Sequence, residues 1–275
     1  MERRIPECLL RVLVGWLPRC STCIKWSNGY SDFFVVEIGV RQGSCLAPAL
    51  FAIYINDMLV ASNKLDFGYV IVYADDILLI TRSVNCLQIM FDLVCSHLAK
   101  LDLALNFKKS VCMRVGPRFE SECSNICNAS GDKLEWVSVV RYLGIFFRAG
   151  RTLRSCVDVA KRKFNRAVNC VVGKIGLRAN EDVLVHLVNL KCMPILLYGV
   201  ECCDLSKRVQ SSLDFTVVRF FMKIFRTNNM ENVTFIMNMF GAQLPSACMK
   251  ARQAKFNYKF SHCENSFCEF IRSLT

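Results

Sequence analysis

Two short apolar runs with an acidic pair between them constrain this chain more than any other feature. Val70 to Tyr73 and Ile77 to Ile80 are β-prone runs, and Ala74, Asp75 and Asp76 separate them. Such a pattern predicts two antiparallel strands joined by a tight turn. Because unpaired carboxylates are costly to bury, adjacent aspartates between buried strands favour a bound cation. The pair therefore indicates a divalent-metal site, and a solvent-exposed acidic turn is the alternative.

The chemistry of the acidic pair favours Mg²⁺. This ion prefers oxygen ligands, takes one or two carboxylates, and completes its octahedron with water and substrate phosphates. In a two-metal mechanism one ion activates an attacking 3′-hydroxyl and the other stabilises the leaving pyrophosphate. Such a site needs a further carboxylate from a neighbouring strand, so Asp75 and Asp76 alone do not complete it.

Composition predicts a globular protein that works inside the cell. The chain has 275 residues, 53% of them hydrophobic, with 6 Pro and 13 Gly, which is enough apolar material for a sizeable core. The longest uncharged stretch, Asn232 to Met249, contains too many polar residues for a bilayer span, and the N-terminus lacks a secretory signal. We expect an intracellular protein, nuclear or cytoplasmic, with no membrane partner.

Positive charge is concentrated in the second half of the chain. Residues 151–275 contain 19 Lys and Arg against 9 Asp and Glu, a net charge of +10, whereas residues 1–150 have a net charge of +2. Two clusters stand out in the basic half: Lys161, Arg162, Lys163 and Arg166 on a predicted amphipathic helix, and Lys250, Arg252, Lys255 and Lys259 interleaved with Phe256, Tyr258 and Phe260. Either cluster alone is equally consistent with a solvated face, but together they favour a polyanionic partner.

The coarse pattern predicts an α+β first half and a helical second half. We expect a strand over Phe33 to Ile38, a helix that begins near Pro48, and a helix capped by Asn85. Extended segments follow at residues 137–140 and 142–147, and three helices at about 155–172, 181–192 and 206–226. The composition shift near Gly150 marks the predicted domain boundary.

Several segments resemble the conserved motifs of reverse transcriptases, most closely those of the non-LTR, or LINE-type, retrotransposons. Motifs B to E of that family are similar, in the same order, to Gly39 to Phe51 with Tyr54 to Asp57, then Tyr73 to Asp76, Asn106 to Ser110, and Arg141 to Ile145. Pro194 to Glu201 and Arg219 to Arg226 are similar to the family's thumb region. The resemblance extends from about Ile5 to Asn228.

The resemblance implies a fold and a set of domains. We expect a polymerase palm, in which an antiparallel sheet packs against helices, at residues 1–150, followed by an all-helical basic thumb at residues 151–228. Residues 229–275 form a basic C-terminal segment without an assigned motif. The fingers are expected to be absent.

The resemblance also implies roles for individual residues. Asp75 and Asp76 would be the catalytic metal ligands, for two Mg²⁺ or Mn²⁺ ions in a complete enzyme. Lys109 would neutralise or protonate the departing pyrophosphate. The remaining assignments are template and nucleotide contacts by Arg41, Gln42 and Gly43, a primer grip formed by Tyr142, Leu143 and Gly144, and duplex-backbone contacts by Lys161, Arg162, Lys163 and Arg166. The partners implied are an RNA template, a DNA primer and deoxynucleoside triphosphates.

One expected element has no counterpart. The family's motif A precedes motif B and supplies another metal-binding aspartate, but only Glu2, Glu7, Asp32 and Glu37 precede Gly39, and Asp32 matches the segment that leads into motif B. We therefore expect an RNA-directed DNA polymerase domain that does not polymerise as this chain alone. The alternative is a non-catalytic remnant that retains nucleic-acid binding.

Overall fold

The computed structural model describes residues 5–36, 39, 43–62, 64–176 and 180–273. It mixes helices with small sheets, which confirms the α+β prediction. Packing divides the chain into two units: the first comprises residues 1–105 with 126–132, and the second comprises residues 106–125 with 133–275. The assignment of family subdomains at residues 1–150, 151–228 and 229–275 stays a prediction.

The first unit combines three helices with three antiparallel strand pairs. Its elements are α1 (Glu7–Trp16), a 3₁₀ turn (Leu17–Arg19), β1 (Ser21–Thr22), β2 (Lys25–Trp26), β3 (Gly29–Tyr30), β4 (Phe34–Val35), α2 (Ala47–Ser62), β5 (Gly68–Tyr73), β6 (Asp76–Thr81) and α3 (Val84–Lys100). Strand β1 pairs with β4, β2 with β3, and β5 with β6. The described residues thus form separate pairs, where a wider sheet was expected for a palm.

A compact core joins α2 and α3 to the β5–β6 hairpin. Ile55 and Met58 of α2, Val70 of β5, and Met90 and Val94 of α3 are buried together. Apolar residues on α2 and α3 recur three or four positions apart, so each helix presents one stripe to the hairpin. Burial of this stripe is the dominant favourable term that fixes the hairpin against the helices.

Sequence reasoning misplaced some of the boundaries in this unit. Helix α3 is capped by Ser83, whose hydroxyl accepts a hydrogen bond from the backbone N–H of Cys86 at 3.2 Å; Asn85 already lies inside the helix, so its predicted role as the cap is wrong. Of the strand predicted over Phe33 to Ile38, the described residues that pair with β1 are Phe34 and Val35. Residues 37 and 38 lie outside the described residues. The helix near Pro48 and the β5–β6 hairpin are confirmed.

The second unit is mainly helical. Its elements are β7 (Val111–Cys112), β8 (Glu135–Trp136), β9 (Val139–Tyr142), β10 (Ile145–Arg148), β11 (Arg154–Ser155), α4 (Asp158–Ile175), α5 (Glu181–Leu187), a π-helical turn (Val188–Cys192), α6 (Met193–Leu196), a 3₁₀ turn (Val200–Cys202), α7 (Lys207–Ile224), α8 (Met230–Met239), α9 (Pro245–Ser261) and α10 (Ser266–Ser273). Strands β7 and β8 are parallel, and β9, β10 and β11 form an antiparallel sheet with β10 in the middle. The three predicted helices are present, although α4 begins later than expected because Arg154 and Ser155 pair with β10.

One helical stretch among the described residues, Glu181–Cys202, is long and apolar enough to cross a membrane by length and composition. Its buried side chains, including Leu184, Val188 and Leu196, belong to the core of the second unit, together with Phe164 of α4 and Phe221 of α7. Since 44% of its most apolar window is buried, packing against neighbouring helices accounts for part of its apolar character. The prediction that the chain has no membrane partner overlooked this stretch.

The close fit of Gly68 generates a test of the hairpin's packing. A Cβ atom at residue 68 would overlap the backbone oxygen of Ile80 and lie 2.8 Å from both the Met90 Cε and Thr81 Cγ2 atoms. Because a backbone oxygen cannot rotate away, we predict that Gly68→Ala lowers the free energy of unfolding by about 1–3 kcal/mol. Denaturant unfolding measures this change.

Gly29 provides the matched control for Gly68, since it also lies in a strand of the first unit. Its added Cβ would meet only the Trp26 oxygen, at 3.9 Å. Gly29→Ala should change the free energy of unfolding by no more than about 0.5 kcal/mol. Equal stability of the two variants would contradict the packing of Gly68 described above.

Candidate active site

The acidic pair lies at the tip of the β5–β6 hairpin. Tyr73 pairs with Asp76, so Ala74 and Asp75 form a two-residue connection, and Ala74 adopts a left-handed φ of +52°. Left-handed backbone is uncommon for residues other than glycine, which makes this a strained, sharply defined turn. Asp75 lies in the turn and Asp76 opens β6. The sequence prediction of a hairpin with acids at its tip is confirmed.

Both carboxylates at the tip are exposed to solvent. The expectation that the pair is buried between two strands is therefore wrong, because both side chains are accessible to solvent. What favours a metal is instead their chemistry, since two adjacent oxygen donors are the kind of ligand Mg²⁺ accepts. Nowhere in the described part of the chain do three or more His, Cys, Asp or Glu side chains form a metal-binding group. Asp75 and Asp76 fit part of a metal site.

A rigid base supports the exposed tip. Below it, Val70 of β5 is buried against α2 and α3, and the Tyr54 hydroxyl donates a hydrogen bond of 2.7 Å to the Leu101 carbonyl just past the end of α3. The tip residues Tyr73, Asp75 and Asp76 project beyond this core and are all exposed. The arrangement presents two carboxylates on a fixed platform, which is what a binding site for a charged ligand requires.

The predicted template-binding turn is described only in part. Arg41 and Gln42 lie outside the described residues. Gly43 has a φ of +80°, and a Cβ built on it would have no atom of the described residues within 4 Å. The backbone at Gly43 thus requires glycine for its conformation and is open to an approaching ligand. Its contact with a template or nucleotide stays a prediction.

Lys109 is exposed and belongs to the second unit, whereas Asp75 and Asp76 belong to the first. It lies in a local turn in which the backbone N–H groups of Lys109 and Ser110 both donate to the Asn106 carbonyl, at 3.1 and 3.0 Å. This turn gives the lysine a defined backbone position. Its catalytic role stays a prediction.

The segment assigned as the primer grip is a tight hairpin. Tyr142 pairs with Ile145, and the two connecting residues, Leu143 and Gly144, have φ angles of +46° and +85°. Two successive positive φ angles match the right-handed twist of a hairpin, and glycine is favoured there for that reason. The turn is well defined, but its contact with a primer stays a prediction.

A second segment braces this turn, which sequence reasoning did not foresee. The Tyr198 hydroxyl donates to the Leu143 carbonyl at 3.2 Å, and a Cβ on Gly144 would lie 2.8 Å from the Tyr198 ring. A Cβ on Gly199 would lie 2.5 Å from Ile145 Cδ1. Both segments carry family-like motifs, but no sequence signal indicated that they touch.

The basic side chains of helix α4 are of two kinds: one contacts neighbouring residues within the second unit, and the others are exposed. The Lys161 ammonium lies 2.9 Å from the Asp158 carboxylate and donates to the Ser212 hydroxyl of α7 at 2.9 Å. The hydrogen bond that Lys161 donates to the Asp158 carboxylate lowers the pKa of Asp158. Lys161 therefore joins helices within the second unit, while Arg162, Lys163 and Arg166 are exposed.

Sequence reasoning missed the cations of α7 beside α4. Arg219 and Lys223 are exposed one helical turn apart, and the Lys223 ammonium donates to the Asn169 side chain of α4 at 3.0 Å. Asn169 lies on the same side of α4 as Arg162 and Arg166, at three- and seven-residue spacing. We call the surface formed by Arg162, Arg166, Arg219 and Lys223 the α4–α7 face.

Comparison with known families decides the identity. The family model described as reverse transcriptase (RNA-dependent DNA polymerase) matches residues 3–147, just over half of the chain. The chain belongs to the reverse transcriptase family. A search of curated proteins finds no match.

Membership of the reverse transcriptase family indicates the general substrates of the chain and shows that the hairpin tip lies within the matched region. Its members are RNA-dependent DNA polymerases, so a nucleic-acid template and deoxynucleoside triphosphates are the general substrates. The matched region includes Asp75 and Asp76, Lys109, and the turn at Leu143 and Gly144. The α4–α7 face and all later helices of this reverse transcriptase lie outside the match.

Proposed function

We propose that this chain forms the palm and helical thumb of a reverse transcriptase of the non-LTR retrotransposon type, with Asp75 and Asp76 as ligands of the catalytic metal ions. One observation carries the proposal: two adjacent, exposed carboxylates occupy the tip of a well-packed hairpin inside the family-matched region. A nucleotidyl transferase needs oxygen donors held rigidly where the substrate's phosphates can reach them.

The metal requirement of this site is Mg²⁺ or Mn²⁺. Bound divalent ions would supply charge stabilisation at the transferring phosphoryl group and lower the pKa of the attacking hydroxyl. Asp75 and Asp76 would bind the ions, and the left-handed turn at Ala74 would set the direction of the Asp75 side chain. Two ions require a further carboxylate, which the described residues do not bring to this tip.

The remaining predicted residues have complementary tasks in this proposal. Gln42 and Gly43 contact the template strand and the incoming nucleotide, and the open backbone at Gly43 supports a close approach. Lys109 acts on the departing pyrophosphate, for which its exposed ammonium is accessible. The turn at Leu143 and Gly144, braced by Tyr198, grips the primer.

Primer extension tests the proposed chemistry. We predict no extension by this chain alone with Mg²⁺ or Mn²⁺, because the described residues bring no third carboxylate to the acidic tip. A longer chain, in which a palm strand with another aspartate and a fingers segment precede residue 1, should extend an RNA-templated primer. In that longer chain Asp75→Ala should lower the rate by at least about 10²-fold, since a bound metal contributes several kcal/mol to the transition state.

Asp66→Asn is the matched control for this experiment. Asp66 is an exposed aspartate of the same unit, located in the loop before β5, and its replacement should leave extension unchanged. Full activity of Asp75→Ala would contradict the proposed site. Nucleic-acid binding without extension in the longer chain would favour the non-catalytic alternative.

The same proposal assigns duplex binding to the α4–α7 face. Its four cations lie on two helices joined by the contacts of Lys161 with Ser212 and of Lys223 with Asn169. Phosphate contacts by Lys and Arg provide sequence-independent affinity that depends on salt. Arg162, Lys163 and Arg166 keep their predicted role, whereas the internal contacts of Lys161 assign it to helix packing.

Salt dependence measures how many of these cations contact phosphates. We predict that Arg162→Ala with Arg166→Ala weakens binding to an RNA–DNA duplex and reduces the slope of log affinity against log salt by roughly 1.8, at about 0.9 per contact. Lys161→Ala should instead lower stability and leave the slope unchanged. An unchanged slope in the double arginine variant would contradict the assignment.

A further inference from the structure

Helix α9 carries a cationic and aromatic surface that lies outside the family-matched residues. Lys255, Tyr258, Lys259 and His262, at the helix and its C-terminal end, are all exposed. They are spaced three and four residues apart and therefore occupy one side of two successive turns. We call these four residues the α9 strip.

Other residues of α9 contact the rest of the second unit. Met249 is buried in the core of the second unit, and Arg252 donates a hydrogen bond of 3.1 Å to the Leu197 carbonyl. Phe256 and Phe260 stack with ring centroids 6.2 Å apart, and Arg272 of α10 lies 6.0 Å from the Phe260 ring. The four residues of the α9 strip stay exposed beside these contacts.

The end of the helix is held firmly, which fixes the rings of the strip. Arg272 donates to the carbonyls of Phe260, Ser261 and Cys263 at 2.8, 2.6 and 2.8 Å. Nδ1 of His262 lies 2.8 Å from the Tyr258 carbonyl oxygen and 3.0 Å from the Ser261 hydroxyl oxygen. The Tyr258 and His262 ring centroids are 4.3 Å apart, and the ring planes are tilted by 31°.

The charge of α9 is not balanced along the helix. Residues 245–261 include four Lys and Arg and no Asp or Glu. Lys255 and Lys259, four residues apart, repel each other at a cost of a few tenths of a kcal/mol to the helix. An anionic partner would remove this repulsion, so the electrostatics of the surface favour a polyanion.

The exposed Tyr258 ring favours one class of polyanion over others. Tyr258 is 66% exposed and lies beside His262, so its ring is accessible next to two lysines. A base stacks on such a platform only when it is unpaired, and aromatic rings flanked by cations are the usual means of binding single strands. We propose that the α9 strip binds single-stranded nucleic acid, with a base stacked on Tyr258 and phosphates at Lys255 and Lys259.

This inference goes beyond the proposed function, because a polymerase site on the first unit does not require it. Fluorescence anisotropy of the full chain with labelled oligo(U) and oligo(dT), which lack secondary structure, tests it. We expect Tyr258→Ala to weaken binding about 5- to 150-fold and Tyr258→Phe, which keeps the ring, to retain it within about twofold. Lys255→Gln with Lys259→Gln should reduce the salt slope by roughly 1.4.

Phe235→Ala is the matched control, since Phe235 of α8 is a 65% exposed aromatic residue in the same unit. It should bind like the unaltered chain. Circular dichroism establishes whether each variant is folded. If Tyr258→Ala does not fold, the double variant Lys255→Gln with Lys259→Gln tests the α9 strip instead. Binding of this chain to an RNA–DNA duplex, and primer extension by the longer chain, should be unaffected by the Tyr258 variants, which separates this inference from the polymerase proposal.

Three outcomes would overturn the inference. The unaltered chain shows no binding to either oligonucleotide, or Tyr258→Ala binds as tightly as the unaltered chain, or Phe235→Ala loses as much affinity as Tyr258→Ala. Loss of binding in the lysine pair together with full binding by Tyr258→Ala would identify simple adsorption of polyanions, including an acidic lipid surface, without base stacking.

Discussion

Burial of one face of the β5–β6 hairpin is the interaction on which the candidate active site depends. Val70 packs between Met58 of α2 and Met90 of α3, and the absence of a side chain at Gly68 lets the strands approach α3 closely. A two-stranded hairpin is marginal by itself in water, so the two helices supply its stability. The position of Asp75 is therefore set by apolar contacts well below it.

Electrostatics divide the chain into regions with different tasks. The acidic tip is a small negative site in a protein of net charge +12, and most of the positive charge lies beyond residue 150. The acidic tip attracts divalent cations, and the basic region beyond residue 150 attracts nucleic-acid phosphates. Such a division suits the reaction we propose, which would need metal ions at one place and a long polyanionic substrate along another. The α9 strip would extend the second kind of surface to unpaired strands.

Local features could be predicted from the sequence because they depend on neighbouring residues. The apolar runs and the acidic turn determined the β5–β6 hairpin, and the periodicity of α4 and α7 determined those helices. Features that depend on tertiary packing could not be predicted. The exposure of Asp75, the contact of Tyr198 with Leu143, and the diversion of Lys161 to Ser212 all depend on segments distant in the sequence. The N-cap of α3 is Ser83, whereas Asn85 was predicted, because several neighbouring polar residues can compete for the capping position.

Iron-mediated cleavage tests most directly whether the hairpin tip binds catalytic metal. Fe²⁺ bound by carboxylates in place of Mg²⁺ generates hydroxyl radicals in the presence of peroxide and ascorbate, and these cut the nearby backbone. The account predicts cleavage close to Asp75 and Asp76 that Mg²⁺ suppresses and that disappears in Asp75→Ala with Asp76→Ala. Cleavage confined to other positions, or cleavage at the tip that persists in the double variant, would contradict it.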